Sequence, residues 1–280
     1  MAVGSATVSD RSGERSKWWA HVRDVEMPVI SRDGVRLHYE DIGIGPAVLW
    51  HTGGGGDGTM WRTSGYLDEL PGRRHLLLDH RGHGRSDQPQ GLEAHRLDEY
   101  MADVLAVLDA AGVDQAAMVG YSDGGRVIYA LAARHPERVA AVVGIGGVSL
   151  PQETYAWRRE LAREVRQMGF RSWLEQMSES EAEAAPAWLM NNLAATSTEM
   201  FALEVEAWAD APSESSHFPH IEAPTLIICG EDEDADGAAE LAVKALPSGK
   251  AVVLPGFGHL QAFWRSETTA PIIRDFLAAG

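Results

Sequence analysis

A Gly-x-Ser-x-Gly turn, Gly120–Tyr121–Ser122–Asp123–Gly124, joins a short apolar run to a segment with helical character. A strand–turn–helix of this kind holds its central serine in a strained backbone conformation. It also lifts the hydroxyl above the sheet edge, next to the N-terminus of the following helix. Ser122 is therefore the candidate nucleophile. The alternative is a Gly- and Ser-rich turn that has no catalytic function. The choice between the two depends on whether the rest of the chain supplies a base and an acid.

A serine hydroxyl becomes a good nucleophile only when a positioned base removes its proton. The candidate base is His259, which follows the last predicted strand in the run Pro255–Gly256–Phe257–Gly258–His259. Because the carboxyl ends of parallel strands meet at one sheet edge, His259 and Ser122 can lie together there. The alternative is an ordinary surface histidine.

A third group must orient the imidazole and stabilise its charged form. The loop after the predicted strand 225–229 offers five carboxylates for this role: Glu231, Asp232, Glu233, Asp234 and Asp236. The chain order serine, acid, histidine is the one expected when these groups lie on successive strand ends.

The negative charge of a tetrahedral intermediate needs backbone N–H donors. The N–H of Asp123 is one candidate because of its position after the nucleophile. The glycine run after the predicted strand 47–51 supplies the others, with Gly53 as first choice and Gly54 as second. The candidate residues for the substrate pocket are Trp61, Tyr121, Trp157, Trp188 and Leu260.

The elements that must position these groups alternate along the chain. A hairpin (25–30 and 35–42) comes first, and the strand-like runs that follow are 47–51, 75–79, 116–119, 139–145, 225–229 and 251–254. Predicted helices cover 98–111, 126–135, 237–246 and 267–279. This order predicts an α/β fold with a mostly parallel, twisted sheet, helices on both faces and N-terminal hairpin strands.

The domain organisation follows from one interruption of this alternation. Residues 151–220 are rich in Trp and Glu and have no convincing strand, which predicts a helical cap inserted after the sixth strand. Residues 25–150 and 221–280 then form the core, and residues 1–24 are expected to be a disordered leader.

Composition excludes several classes of function. The 280 residues carry 24 Lys and Arg against 41 Asp and Glu, a formal charge of −17, which argues against nucleic acid or an anionic membrane as partner. The single cysteine, Cys229, excludes an intrachain disulfide and a cysteine-based zinc site. Without a signal peptide or a membrane-spanning run, the expected location is cytoplasmic. The sequence says nothing about the oligomeric state.

Four motifs together resemble the α/β-hydrolase family with a helical cap: His51–Gly55, Asp79–Ser86, Gly120–Gly125 and Gly256–His259. The family usually has glycine directly after the first histidine, where this chain has Thr52. The resemblance implies a triad of Ser122, His259 and an acid three residues after a strand-ending glycine, which would be Glu233. Aspartate is the commoner acid in the family, and one extra loop residue would select Asp234. We therefore expect Asp234, with Glu233 as the alternative.

The expected function is that of a serine hydrolase that cleaves a small apolar ester or lactone through an acyl-enzyme, with no cofactor. The alternatives on the same triad are a carbon–carbon bond hydrolase and a cofactor-free perhydrolase. A small-ligand receptor that uses the fold without catalysis is the non-enzymatic alternative.

Two other patterns compete with this interpretation. Gly53-x-Gly55-x-x-Gly58 with Asp79 matches a dinucleotide-binding fingerprint, although a bulky, acidic helix start occupies the pyrophosphate position. His80 and His83 suggest a metal site, but no matching carboxylate spacing accompanies them. The role of the Asp123 carboxylate stays open. It either orients a water molecule or repels anionic substrates.

Overall fold

The computed structural model describes residues 25–148, 157–234 and 237–279. Within these ranges nine strands form one sheet, in the spatial order β1-β3-β5-β4-β6-β7-β8-β9 with β2 paired to β3. The strands are β1 Val25–Glu26, β2 Val29–Arg32, β3 Val35–Ile42, β4 Ala47–His51, β5 Arg74–Asp79, β6 Ala116–Tyr121, β7 Val139–Ile145, β8 Thr225–Gly230 and β9 Gly249–Leu254. From β5 to β9 every neighbouring pair is parallel, whereas β1, β2 and β5 pair with β3 in antiparallel fashion.

The predicted first strand, 25–30, is divided in the structure. Met27 and Pro28 lie between β1 and β2, and proline has no N–H to donate to a ladder. The insertion therefore follows the seventh strand rather than the sixth. The predicted fold class, a mostly parallel sheet with helices and N-terminal hairpin strands, is confirmed.

Helices cover both faces of the sheet. Helices α2 Leu97–Ala110, α3 Asp123–Arg134 and α8 Ala238–Ala245 contribute to the apolar core on one face. The core on the other face includes α1 Thr59–Thr63, α9 His259–Trp264 and α10 Ser266–Ala278. All residues of β6 and β8 are buried, as expected for central strands covered on both sides.

Between β7 and β8 the described residues, from 157 onward, form four α-helices, which we call the insertion helices: α4 Trp157–Met168, α5 Phe170–Ser180, α6 Ala187–Leu193 and α7 Thr198–Ala207. Their buried side chains join the same apolar core as α9 and α10. The helices of the described ranges are all too short or too polar to cross a membrane. The expected leader, residues 1–24, lies outside the described residues, and the division into core and cap stays a prediction.

Candidate active site

The turn that carries Ser122 has the strained backbone that its sequence predicts. Ser122 has φ 53° and ψ −123°, a conformation that non-glycine residues seldom adopt. Glycine is required at Gly120 because a methyl group there would lie 2.5 Å from the carbonyl of Gly124. Gly124 packs closely against the end of β4, because a methyl group on it would lie 2.4 Å from the carbonyl oxygen of Thr52. Close packing of strand and helix thus forces the serine outward.

His259 lies directly against Ser122. Its Nε2 is 3.0 Å from the serine Oγ, although 137 residues separate the two in sequence. The imidazole stacks on the ring of Tyr121, with 5.0 Å between the centroids, and the Tyr121 hydroxyl donates to the His259 carbonyl at 3.2 Å. The residue before the serine therefore fixes the plane of the histidine ring.

The structure places Glu233, rather than the expected Asp234, beside this histidine. Glu233 Oε2 is 2.5 Å from His259 Nδ1, and Glu233 Oε1 accepts the N–H of Gly230 at 3.0 Å. Asp234 instead accepts the N–H of Ala239 at 2.8 Å, in the first turn of α8. The short 3₁₀ turn Glu231–Glu233 begins right after β8, so the loop has no extra residue and its third position faces the histidine. Of the other carboxylates considered, Asp236 lies outside the described residues.

The charges of this pair support one another. Burial favours a neutral Glu233, but His259 and the N–H groups of Gly230 and Gly147 hold its pKa below the ordinary value. Burial also disfavours the imidazolium, yet the Glu233 carboxylate and its hydrogen bond raise the pKa of His259 above the ordinary value. The arrangement therefore stabilises a histidine that gains a proton.

The glycine loop after β4 lies against the serine. A methyl group on Gly53 would be 2.7 Å from Ser122 Cβ, and one on Gly54 would be 3.5 Å from Asp123 Oδ2. The N–H groups further along are already engaged, since Gly55 donates to His83 Nε2 at 2.9 Å and Gly56 donates to Thr196 Oγ1 at 3.1 Å. These bonds fix the loop and exclude Gly55 and Gly56 as donors to a substrate.

The carboxylate of Asp123 forms a buried ion pair with Arg158 of α4. Two hydrogen bonds join them, one from Nη1 to Oδ2 at 3.2 Å and a second from Nη2 to Oδ1. Burial raises the pKa of Asp123, but Arg158, with Arg126 and His259 as weaker contributors, brings it below the ordinary value. The negative charge beside the nucleophile is thus balanced by Arg158 of an insertion helix, which argues against repulsion of anionic substrates, one of the two open hypotheses for this carboxylate.

Ser122 and His259 open into a cavity of about 240 Å³ between the sheet edge and the insertion helices. Gly54, Asp123 and Arg158 are also in its wall. The remaining lining is apolar or aromatic: Tyr121, Trp157, Leu161, Trp173, Leu174, Met177, Leu193, Phe201, Val205 and Leu260. A larger hollow of about 960 Å³ at the opposite edge of the sheet contains neither Ser122 nor His259.

Of the residues predicted for the substrate pocket, Tyr121, Trp157 and Leu260 line this cavity, and the other two do not. Trp61 is fully buried in an aromatic cluster, with its ring 4.9 Å from that of Trp50 and 5.0 Å from that of Phe263. Trp188 packs partly buried against the same core. An aromatic residue near a glycine loop is as readily a core residue as a pocket wall, and sequence does not distinguish the two.

The competing sequence patterns have structural roles in this fold. The Asp79 carboxylate accepts the N–H groups of Gly58 at 2.8 Å and Arg85 at 3.0 Å and contacts His38 Nδ1 at 2.9 Å. Asp79 therefore stabilises the loop after β5. Its carboxylate oxygens, which would have to bind a ribose in a dinucleotide site, are already hydrogen-bonded within the protein.

His80 and His83 meet a carboxylate that the sequence did not indicate, Glu204 of α7. The ligand atoms of all three lie within 4.8 Å of one another and are buried. However, His83 Nε2 already accepts the N–H of Gly55, and burial lowers the pKa of His83 to about 3. This cluster ties the glycine loop to an insertion helix.

Sequence reasoning missed Arg158, Glu204 and a further acid, Glu181. Glu181 accepts the N–H groups of Leu260 and Gln261 at the start of α9. All three charges belong to a helical stretch rich in Arg and Glu, where nothing in the pattern distinguishes buried charges from solvated ones. Their partners are 35 to 124 residues away in sequence, from Arg158 with Asp123 to Glu204 with His80.

A family model described as the alpha/beta hydrolase fold matches residues 46–266. The chain is 28% identical to the bifunctional esterase/perhydrolase DCH of Acinetobacter calcoaceticus, over 89% of this chain and 98% of that protein. It is 26% identical to a putative 2-succinyl-6-hydroxy-2,4-cyclohexadiene-1-carboxylate synthase of Bacillus subtilis, over 88% and 96% of the two chains.

Among solved structures, the enol-lactonase from Burkholderia xenovorans LB400 superimposes with a TM-score of 0.75. It is 24% identical, and the match covers 90% of this chain and all of that one. At this identity the likeness shows a common fold.

Proposed function

The chain belongs to the α/β-hydrolase fold family, and we propose that it is a serine hydrolase that cleaves a small ester or lactone through an acyl-enzyme. One observation carries the proposal. Ser122 Oγ, His259 and Glu233 form a continuous hydrogen-bonded series, with 3.0 Å and 2.5 Å between successive atoms, that opens into an apolar cavity.

In the proposed acylation, His259 Nε2 takes the proton of Ser122 as Oγ attacks the carbonyl carbon. The tetrahedral oxyanion accepts hydrogen bonds from the backbone N–H groups of Asp123 and Gly53. Gly54 is the alternative to Gly53 as the donor from the glycine loop. Glu233 stabilises the imidazolium that forms. The carbon–oxygen bond of the ester then breaks, and the leaving alkoxide receives the proton held on Nε2.

Deacylation repeats these steps with water. His259 removes a proton from a water molecule, the hydroxide attacks the acyl carbon, and the second tetrahedral intermediate uses the same N–H donors. Its collapse releases the carboxylic acid and returns the proton to Ser122 Oγ. In a lactone the alcohol remains attached to the acyl group, so one hydroxy acid is the product.

The cavity supports a small, mainly apolar substrate. Its volume of about 240 Å³ lies below the range of about 300–1,000 Å³ that is usual for drug-sized ligands. Its charged groups, Asp123 and Arg158, neutralise one another. We propose that the insertion helices act as the cap of this site, since α4, α5 and α7 supply most of its apolar wall.

Covalent labelling tests the proposal directly. A fluorophosphonate probe should label the native protein at Ser122, and a panel of p-nitrophenyl esters should be hydrolysed. The Ser122→Ala variant should not be labelled, and its kcat should be at least about 10⁴-fold lower than that of the native protein. Near-native esterase activity in Ser122→Ala would overturn the proposal. Ligand binding without labelling or turnover would favour the receptor alternative.

Perhydrolysis is the second candidate, and the esterase/perhydrolase relative from Acinetobacter calcoaceticus favours it. In this reaction hydrogen peroxide replaces water in deacylation, and the acyl-enzyme yields a peracid. Adding peroxide to an ester assay and measuring halide oxidation by the peracid decides between the two. A vinylogous diketone in the same panel tests carbon–carbon cleavage.

A further inference from the structure

Glu181 connects the insertion helices to the helix that carries His259. It follows α5, and its Oε1 accepts the N–H of Leu260 at 2.5 Å while its Oε2 accepts the N–H of Gln261 at 3.0 Å. N–H groups in the first turn of a helix have no partner within the helix itself. A carboxylate from the insertion therefore binds the first turn of α9, beside the histidine.

The approach of this carboxylate to α9 is close. A methyl group on Gly258 would lie 2.7 Å from Glu181 Cδ, so glycine at this position makes the contact possible. Gln261 completes the turn, because its Oε1 accepts the N–H of Gly258 at 3.0 Å. Both oxygens of Glu181 thus bind backbone groups within two residues of His259.

Helix α9 depends on such external bonds. It has six residues, fewer than a helix needs to be stable on its own. His259 is its first residue, so the orientation of this turn sets the direction of the imidazole. Two hydrogen bonds from another part of the chain restrict that orientation.

In the described part of the chain, carboxylates from three different elements act on the imidazole. Glu233 faces it from the loop after β8, Asp123 from α3 and Glu181 from the insertion, and each raises the pKa of His259. Asp123 is paired with Arg158, whereas Glu181 contacts backbone N–H groups. Burial raises the pKa of Glu181 itself, against the effect of these two N–H bonds.

We propose that Glu181 is a positioning residue for the catalytic base: it holds the first turn of α9 from the insertion side and adds negative charge near His259. The orientation and proton affinity of His259 thereby depend on how the insertion helices pack against α9. The catalytic consequence rests on the proposed serine-hydrolase function, whereas the effect on the proton affinity of His259 does not.

The test compares Glu181→Gln and Glu181→Ala with a matched control, Glu179→Gln, which removes an exposed carboxylate two residues earlier. The imidazole of His259 is titrated by NMR in the protein without substrate, and its signal is identified by its loss in His259→Gln. Glu181→Gln should lower the pKa of His259 by at least about 0.3 unit, and Glu179→Gln should not change it.

Kinetics provide the second measurement. Glu181→Gln should lower kcat by about tenfold with little change in KM, slow fluorophosphonate labelling by the same factor, and move the acidic limb of kcat/KM to lower pH. A merely structural role would lower the melting temperature and leave these properties unchanged. A folded Glu181→Gln variant with native His259 pKa and kcat would overturn the proposal.

Two further outcomes separate this proposal from the proposed function. If Glu181→Gln lowers the pKa of His259 but the native protein hydrolyses no ester, the proposed ester-hydrolase function is wrong and the positioning role of Glu181 still holds. Should Glu181→Gln fail to fold, Gly258→Ala displaces the carboxylate without removing its charge. It should likewise lower kcat, and native kcat in that variant would contradict the proposal.

Discussion

The carboxylate of Glu233 lies 2.5 Å from Nδ1 of His259. Asp234, the next residue, directs its carboxylate to the N–H of Ala239 instead. Adjacent acids in one loop thus have different hydrogen-bond partners, and variants at these two positions test which of them acts in catalysis.

Glu233→Gln should lower kcat by about 10³–10⁴-fold, because the amide neither stabilises the imidazolium nor enforces its tautomer. Asp234→Asn keeps an oxygen that accepts the Ala239 N–H, so its kcat should remain within about twofold of native. Ester hydrolysis at saturating substrate measures both. A larger loss in Asp234→Asn would return the acid role to Asp234.

The pH profile should follow the protonation of His259. The base acts in its neutral form, so kcat/KM should rise with pH through the pKa of His259. Since Glu233 holds that pKa above the ordinary value of 6.5, the midpoint should lie above 6.5. Glu233→Gln should move the midpoint of the residual activity down. Activity that is flat between pH 5 and pH 8 would be incompatible with His259 as base.

Gly53→Ala should impair catalysis more than stability. Its methyl group would lie 2.7 Å from Ser122 Cβ and 2.9 Å from the Tyr121 carbonyl, so the loop must move and its N–H moves with it. Loss of one oxyanion donor costs about 10²–10³-fold in kcat. Gly125→Ala is the control, because a methyl there makes only ordinary contacts at 3.7 Å. Equal kcat values in the two variants would argue against Gly53 as donor.

Arg158→Gln should destabilise the fold. It removes the main cation that faces the buried carboxylate of Asp123, and breaking a buried pair from one side costs about 3 kcal/mol. Arg159→Gln, the next residue, breaks only a surface pair with Asp210 and should cost less than about 1 kcal/mol. Urea unfolding measures both free energies. Combining Arg158→Gln with Asp123→Asn should recover part of the loss, and no recovery would contradict the coupling.

Chain-length preference should change when the cavity is filled. Val205→Phe adds volume to a wall of the 240 Å³ cavity, so kcat/KM for a hexanoyl ester should fall at least about tenfold relative to that for an acetyl ester. Trp188→Phe serves as control, since that side chain, on the insertion helix α6, packs against the apolar core and does not line the cavity. An unchanged ratio in Val205→Phe would place the acyl group elsewhere.

The loop after β8 separates two kinds of sequence evidence for the residue that contacts His259, spacing and residue type. Spacing from Gly230 indicated Glu233, whereas the residue type commoner in the family favoured Asp234. The structure agrees with the spacing, because the 3₁₀ turn after β8 fixes which position faces the histidine. Spacing thus predicted this contact better than residue type did, since glutamate reaches one methylene further than aspartate and contacts Nδ1 of His259 from the third position of the loop.

The sequence alone determined the sheet, its helices and the meeting of Ser122 with His259. These follow from local patterns, because apolar runs define strands, glycines define the turn, and parallel strands bring their carboxyl ends to one edge. The tertiary structure alone decided the contacts of Glu181, Arg158 and Glu204. A charge in a helix becomes buried only through contacts with distant residues, and no local pattern encodes those contacts.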